Sequence, residues 1–173
     1  QQCLPGEKVQ IKNVTDDYGV LVLTGPKSRE ILRQITDADL SNEAFPWLRY
    51  RQIQISGIPV RALRVSYVGE LGWELHHPMN QMQTLYEQVH QAGKAYGLTD
   101  FGTYAVNSLR MEKAYKAWGG ELTTEITPVE ADLMRFVDFS KSFIGREATL
   151  ARKLQTHALQ LVYLSVDAPD CDC

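Results

Sequence analysis

Gln52-Ile53-Gln54-Ile55-Ser56-Gly57-Ile58-Pro59-Val60-Arg61-Ala62-Leu63-Arg64-Val65, running on into Ser66-Tyr67-Val68-Gly69-Glu70-Leu71-Gly72-Trp73-Glu74-Leu75, is the stretch on which the fold turns. Residues 52–55 alternate polar and apolar side chains, Ser56-Gly57 is a two-residue turn, and residues 58–65 return. That pattern predicts a β-hairpin. A second reversal is expected around Glu70 and Leu71. Centred there, it sets Tyr67 opposite Glu74, with beta carbons ~4.5–5.5 Å apart on one face. The flanking glycines let a ligand approach the backbone. The residues alone leave two readings open: one wall of a small-molecule pocket, or a solvent-facing cross-strand pair with Trp73 buried on the other face.

Outward from this centre, strands and helices alternate. Toward the amino terminus, residues 9–14 alternate like a strand, and residues 20–24 form an apolar run of buried-strand length. Ile31, Leu32 and Ile35 follow Gly25-Pro26 at helical spacing, and a short amphipathic stretch surrounds Phe45, Trp47 and Leu48. Toward the carboxy terminus, Asn80 is placed to cap a helix running to Tyr96, with Met82, Leu85, Tyr86, Val89 and Ala92 on one side and Gly97 beyond its end. Thr103 is expected to cap a helix through Lys116, and Thr127-Pro128-Val129-Glu130 carries the signature of a helix start. Residues 135–139 read as a strand, 146–154 as a helix and 159–166 as a last strand. The class is α+β, a largely antiparallel sheet with packed helices.

Composition narrows the function. The chain has 173 residues, 44% of them hydrophobic and 23% charged, with a formal net charge of −3. Those fractions are ordinary for a globular chain and exclude a disordered one. The acidic balance offers no footprint for nucleic acid, and no run approaches the ~18 apolar residues of a membrane-spanning helix. Cys3, Cys171 and Cys173 lie at the ends and make no disulfide framework. Gln1 at the start, and an apolar run just before Cys173, are expected of a piece cut from a longer protein, incomplete at both ends.

Most catalytic motifs are absent. Gly25-Pro26-Lys27-Ser28 lacks the glycine before its lysine, and Pro26 removes a donor that a phosphate loop needs. Gly69-Glu70-Leu71-Gly72 lacks the third glycine of a dinucleotide site. His76 and His77 are adjacent, so on a strand they face opposite ways and cannot chelate one ion together. No metal site is expected.

Five blocks in order add specificity: Leu23-Thr24-Gly25-Pro26, the stretch from Ser66 to Leu75, Asn107-Ser108-Leu109-Arg110-Met111-Glu112-Lys113-Ala114-Tyr115-Lys116-Ala117-Trp118-Gly119, Thr127-Pro128-Val129-Glu130-Ala131, and Phe143-Ile144-Gly145-Arg146-Glu147-Ala148. Together they resemble the folate-binding domain shared by the glycine-cleavage aminomethyltransferase (the T protein) and the carboxy-terminal halves of dimethylglycine and sarcosine dehydrogenases. Gly69-Glu70-Leu71-Gly72-Trp73-Glu74-Leu75 is closer to the dehydrogenase branch.

The resemblance implies an aminomethyltransferase-like folate-binding domain over residues 1–150 and the truncated start of a carboxy-terminal barrel over 151–173. It implies tetrahydrofolate contacts at Tyr67, Glu74 and Tyr115, and FAD in an upstream flavin domain of the same parent chain. The parent would oxidise an N-methylated amine and capture the one-carbon unit as 5,10-methylenetetrahydrofolate. A T protein, or a non-catalytic regulatory or assembly module of the same fold, is the alternative. A bacterial parent would be cytoplasmic and a eukaryotic one mitochondrial. Two departures stand out. The position where the T protein holds folate with an arginine is Val106, leaving Lys113 and Lys116 as candidate aids to the folate tail. The family's catalytic aspartate lies upstream of the matched region, so no catalytic residue is assigned, and Asp16 and Asp17 belong to a turn. Arg110 is expected to pair with an acid such as Glu112 or Glu130.

Overall fold

A computed structural model of the chain describes residue 6 and residues 8–155 and 159–167. Two compact units are present, residues 1–109 and residues 110–173.

In the first unit the predicted hairpin forms as β2 (Tyr50–Ile55) and β3 (Ile58–Leu63). Its turn residues Ser56 and Gly57 both have positive φ, 47° and 80°. That is the primed turn whose twist matches two right-twisted strands. Ser56 is held there by its N–H, which donates to the Ile35 carbonyl at 2.8 Å.

The second reversal does not form where the sequence suggests. β4 (Gly72–Pro78) lies antiparallel between β3 and β1 (Tyr18–Thr24), so the sheet order is β1-β4-β3-β2. Leu63 stands opposite Glu74 on one side and Val22 on the other; Tyr67 is not its cross-strand neighbour. The chain leaves β3 at Leu63 and makes a wider connection through residues 64–71. Two sets of hydrogen bonds explain the difference. Arg64 stays paired to the segment before β2, its N–H donating to Arg49 and its carbonyl accepting from Leu48. At the other end, the Leu71 carbonyl accepts from the Gly25 N–H at 2.8 Å and from Ser28 Oγ at 3.0 Å, which ties it to the turn after β1. A carbonyl committed to that distant turn is not closing a local hairpin.

One face of this antiparallel sheet is buried. Leu23, Val60, Ala62, Ile53, Ile55, Trp73 and Leu75 pack with Ile31 and Leu32 of α1 (Ser28–Arg33) and with Leu85 and Val89 of α2 (Met82–Gly93). Trp73 is fully buried, with the Phe45 ring 6.3 Å away in an edge arrangement and the Arg29 and Arg64 guanidinium carbons 5.9 and 6.0 Å from its ring centroid. Burial, and then the charge of Arg29, lowers the Arg64 guanidinium below its usual range. At the far end of β4 the buried His77 donates through its Nδ1–H to the Leu75 carbonyl at 2.8 Å. Gly19 leaves room beside it: an added Cβ would come within 2.8 Å of His77 Nε2 and would displace the end of the Met82 side chain.

Several local expectations are corrected. Residues 9–14 carry no strand, and Val9, Ile11 and Val14 are exposed. β1 is an edge strand with Val20 and Val22 exposed, not a run buried on both faces. Phe45 is buried, but Trp47 and Leu48 point to solvent. Asn80 sits inside a 3-10 turn, Met79–Gln81, and caps nothing; Gly97, at φ 72°, does end the helical segment as expected.

α3 (Thr103–Glu112) ends earlier than predicted, where Ala114 turns left-handed at φ 53° and the Tyr115 N–H bonds back to the Arg110 carbonyl. In the second unit, Arg110 Nη1 donates to Glu121 Oε1 and to the Tyr115 carbonyl, both at 2.9 Å. Thr127-Pro128 opens only a turn, stopped at Asp132 with φ 54°, and the strand expected over 135–139 is instead a 3-10 turn, Met134–Phe136. α4 (Arg146–Leu154) forms as predicted. Residues 159–166 pair with no strand among the described residues; one backbone bond, Leu161 N–H to the Glu130 carbonyl, holds them. The expected boundary at 150/151 falls inside α4, whereas the compact units divide between 109 and 110.

Among the described residues of the second unit, Glu130 is a buried acid, 4% exposed. It accepts from the Thr127 hydroxyl, from the Thr127 N–H at 3.1 Å and from Arg152 Nε at 2.5 Å. The Thr127 hydroxyl, which contributes most, and these other donors hold its carboxyl at about 2, below the ordinary 4.5. A depressed carboxyl stabilises the fold fully above its unfolded value and loses that contribution as pH falls toward the folded one.

Two outcomes are expected. Trp73→Ala should destabilise the first unit by about 3–5 kcal/mol, read from chemical denaturation, because a fully buried aromatic leaves a cavity. The stability of the second unit should fall as pH drops from about 4.5 toward about 2. Glu130→Gln should lower the melting temperature at neutral pH and flatten that acid limb.

Candidate functional site

Alternation along β4 divides its side chains between two environments. Trp73, Leu75 and His77 turn into the core, while Glu74 and His76 lie on the opposite, open face. This bears out the expectation that the two histidines face opposite ways. On the open face, Glu74 stands between Val22 and Leu63, and His76 between Val20 and Arg61. Val20 and Val22 are exposed there, so the acid sits in a partly apolar surface.

The Glu74 side chain is 37% exposed and that of His76 32%; Glu74 Oε2 lies 3.2 Å from His76 Nε2. Arg61, the cross-strand cation, turns to Tyr18 instead. Its Nη2 donates to the Tyr18 hydroxyl at 3.0 Å, and its guanidinium carbon is 4.6 Å from that ring centroid. The carboxylate is therefore accessible, ordered by one donor, and not covered by a guanidinium fork.

The other two residues singled out in the sequence lie elsewhere. Tyr67 belongs to the 64–71 connection of the same unit and is 43% exposed. Tyr115 belongs to the second unit, where it lines a hollow of about 170 Å³ with Arg110, Lys116, Asp132, Leu161 and Tyr163. Val106 lies on α3, Lys113 is exposed and Lys116 half-buried.

Two features were missed in the sequence. One is His76, whose signal was available: residues two apart on a strand share a face. The other is a cleft of about 500 Å³ in the first unit, lined by Leu23, Val68, Glu70, Tyr86, His90 and Phe101 among others. Tyr86 and His90 are four apart on α2, with ring centroids 5.7 Å apart. The Tyr86 hydroxyl donates to Asp100 Oδ2 at 2.7 Å, and that bond, ahead of burial and the Asp100 charge, raises the phenol above its ordinary 10. Among the described residues no group of histidine, cysteine and acidic side chains is arranged to hold a metal ion, and no helix is long and apolar enough to cross a membrane.

Comparison with known proteins places this geometry. The family described as the GCVT N-terminal domain matches residues 1–141. The chain belongs to the GCVT N-terminal domain family. Among curated relatives, mitochondrial dimethylglycine dehydrogenase of Mus musculus is 46% identical over 169 residues, covering 96% of this chain and 19% of its own length. Mitochondrial sarcosine dehydrogenase of Mus musculus is 40% identical over 162 residues, covering 92% of this chain and 18% of its own. An aminomethyltransferase of Caldanaerobacter subterraneus subsp. tengcongensis is 41% identical over 156 residues, covering 90% of this chain and 41% of that protein. The chain thus spans about a fifth of the length of the dehydrogenases it matches. The resemblance read from five sequence blocks and the antiparallel α+β class both stand.

Proposed function

We propose that this chain is the tetrahydrofolate-binding part of a flavin-dependent dimethylglycine or sarcosine dehydrogenase-type enzyme. The observation that carries the reading is Glu74 on the open sheet face of a GCVT-family domain. It is an accessible carboxylate with a single donor on one oxygen, flanked by apolar neighbours.

The chemistry of that group suits a pterin. One edge of the pterin presents a ring N–H and an exocyclic amine side by side, both donors. An ionised carboxylate accepts two parallel hydrogen bonds, and charge strengthens them. A glutamine there would set its own N–H₂ against a donor. The apolar surroundings, Val22 and Leu63, lower the competition from water for those bonds. Tyr67 would add a ring wall and a hydroxyl from the connection leading into β4. Tyr115, in the second unit, remains a proposed folate contact on the resemblance alone.

Bound tetrahydrofolate supplies a nucleophilic nitrogen, N5, that takes up a one-carbon unit and carries it away as 5,10-methylenetetrahydrofolate. The residues of this chain would position the pterin and limit its exposure to water, which are proximity and exclusion effects. Oxidation of the N-methylated amine is assigned to FAD in an upstream domain, with residues 151–173 leading toward a carboxy-terminal barrel. A eukaryotic parent would act in the mitochondrial matrix, a bacterial one in the cytoplasm. The dehydrogenase reading is preferred to the aminomethyltransferase one because the dehydrogenase relative is the more similar and matches more of the chain.

Calorimetric titration of the full-length protein with tetrahydrofolate tests the site. Glu74→Gln is expected to weaken binding by about 1–3 kcal/mol, the cost of buried donors left unmet. Tyr67→Phe should have a smaller effect. Equal affinity in parent and Glu74→Gln would remove Glu74 as the pterin anchor.

A further inference from the structure

We propose that His76 is a positioning residue for the Glu74 carboxylate, fixing it as a ready-made acceptor for the pterin edge. The inference rests on the folate reading above and adds to it a residue that the sequence motif did not mark.

Two neighbouring residues of β4 on one face would normally go their own ways, since side chains two apart on a strand stand roughly perpendicular to the sheet. Here they are joined: Glu74 Oε2 and His76 Nε2 are 3.2 Å apart. An ionised carboxylate only accepts, so the contact requires a proton on Nε2. The acid thereby selects the form of the imidazole, and the imidazole in turn holds one oxygen of the acid. A glutamate that is free to rotate must be ordered when a ligand binds, and ordering beforehand removes that cost from the binding step.

The type of donor matters as much as its presence. An arginine forks onto a carboxylate and occupies both oxygens in parallel, the same geometry a pterin edge would use. A histidine offers one N–H to one oxygen. Oε1 stays open, and Oε2 keeps a second lone pair, so two parallel donors from a ligand can still be met. The neighbouring strands keep that arrangement clear. Opposite His76 on β3 stands Arg61, whose Nη2 is engaged by the Tyr18 hydroxyl and whose guanidinium lies over the Tyr18 ring. Opposite on β1 stands Val20, which brings no charge. The sheet thus supplies a single donor to the acid and commits Arg61, the cation across from His76, elsewhere.

The test is tetrahydrofolate affinity of the full-length protein, measured by calorimetry for the parent, His76→Phe, His76→Gln, Glu74→Gln and the double variant carrying Glu74→Gln with His76→Phe. His76 is part-exposed, so phenylalanine fits the position, and an unchanged melting temperature confirms the fold. His76→Phe keeps the ring and loses the donor; it should bind roughly five- to tenfold more weakly, about one hydrogen bond's worth. His76→Gln retains an N–H donor and should recover most of that loss. On the Glu74→Gln background, adding His76→Phe should cost nothing further, because a residue acting through Glu74 has nothing left to position. Parent-like affinity in His76→Phe together with a loss in Glu74→Gln would overturn the positioning role and leave the Glu74 reading standing. A full additional loss in the double variant would also overturn it, since His76 would then act on its own. Parent-like affinity in both single variants would remove Glu74 as the pterin anchor, and this inference with it, whereas no binding of tetrahydrofolate by the parent would remove the folate reading itself.

Discussion

The structure depends on β4 being an interior strand with two unlike faces. Strands alternate, so placing Trp73 and Leu75 against α1 and α2 necessarily turns Glu74 and His76 the other way. A one-residue slip would put the acid into the core and the indole into water. Burial of Trp73 and Leu75 therefore fixes the register, and the register fixes where the carboxylate stands. The same constraint explains why both neighbours of Glu74, Val22 and Leu63, are apolar yet not part of the main core. They are the open-face residues of β1 and β3, and they make a surface on which a planar ligand can lie.

How much of this was legible in the sequence follows from how local each signal is. The β2–β3 hairpin was readable because polar–apolar alternation and a two-residue turn lie within one short window. α4 was readable because the whole element lies within one short stretch, residues 146–154, and the structure forms it with those bounds. The placement of β4 was not, because it is settled far away: the Leu71 carbonyl is bound by Gly25 and Ser28, some forty residues earlier in the chain. A reader of the motif alone closes the nearest turn and pairs Tyr67 with Glu74. The placement of Glu74 on the open face does not depend on that pairing, since its face follows from parity and not from which strand lies opposite. Residues 9–14 show the converse, an alternating stretch with no partner strand among the described residues and its apolar side chains exposed.

The second unit is organised differently. It has few fully buried apolar side chains and relies on charged groups that satisfy backbone. Arg110 ties Glu121 to the Tyr115 carbonyl, and Glu121 in turn accepts from the Ala117 N–H at 2.7 Å. Glu130 gathers Thr127 and Arg152, while its own carbonyl holds Leu161. Such networks are specific because every member is needed: removing one leaves a buried charge or donor unmet. The helix-start signal there is genuine but goes no further than one turn. The Glu130 carboxylate accepts from the Thr127 N–H as a helix-starting acid does, and the chain then turns left-handed at Asp132.

The two acids of the chain that matter most illustrate one physical distinction. Glu130 is saturated: hydroxyl, amide and guanidinium donors meet it on all sides, its carboxyl is driven far down, and nothing is left to bind a ligand. Glu74 has a single side-chain donor beside it, on one oxygen, and remains more than a third exposed. Chemical type alone does not separate them, since both are glutamates in sequence blocks that carry the family likeness. What separates them is unused acceptor capacity. A carboxylate with lone pairs to spare, held still on a rigid strand, is an invitation to a ligand that brings paired donors, whereas one whose lone pairs are taken is a structural rivet. That unused capacity on the open face of β4 is why we propose Glu74, and not Glu130, as the acid that meets a pterin-like edge.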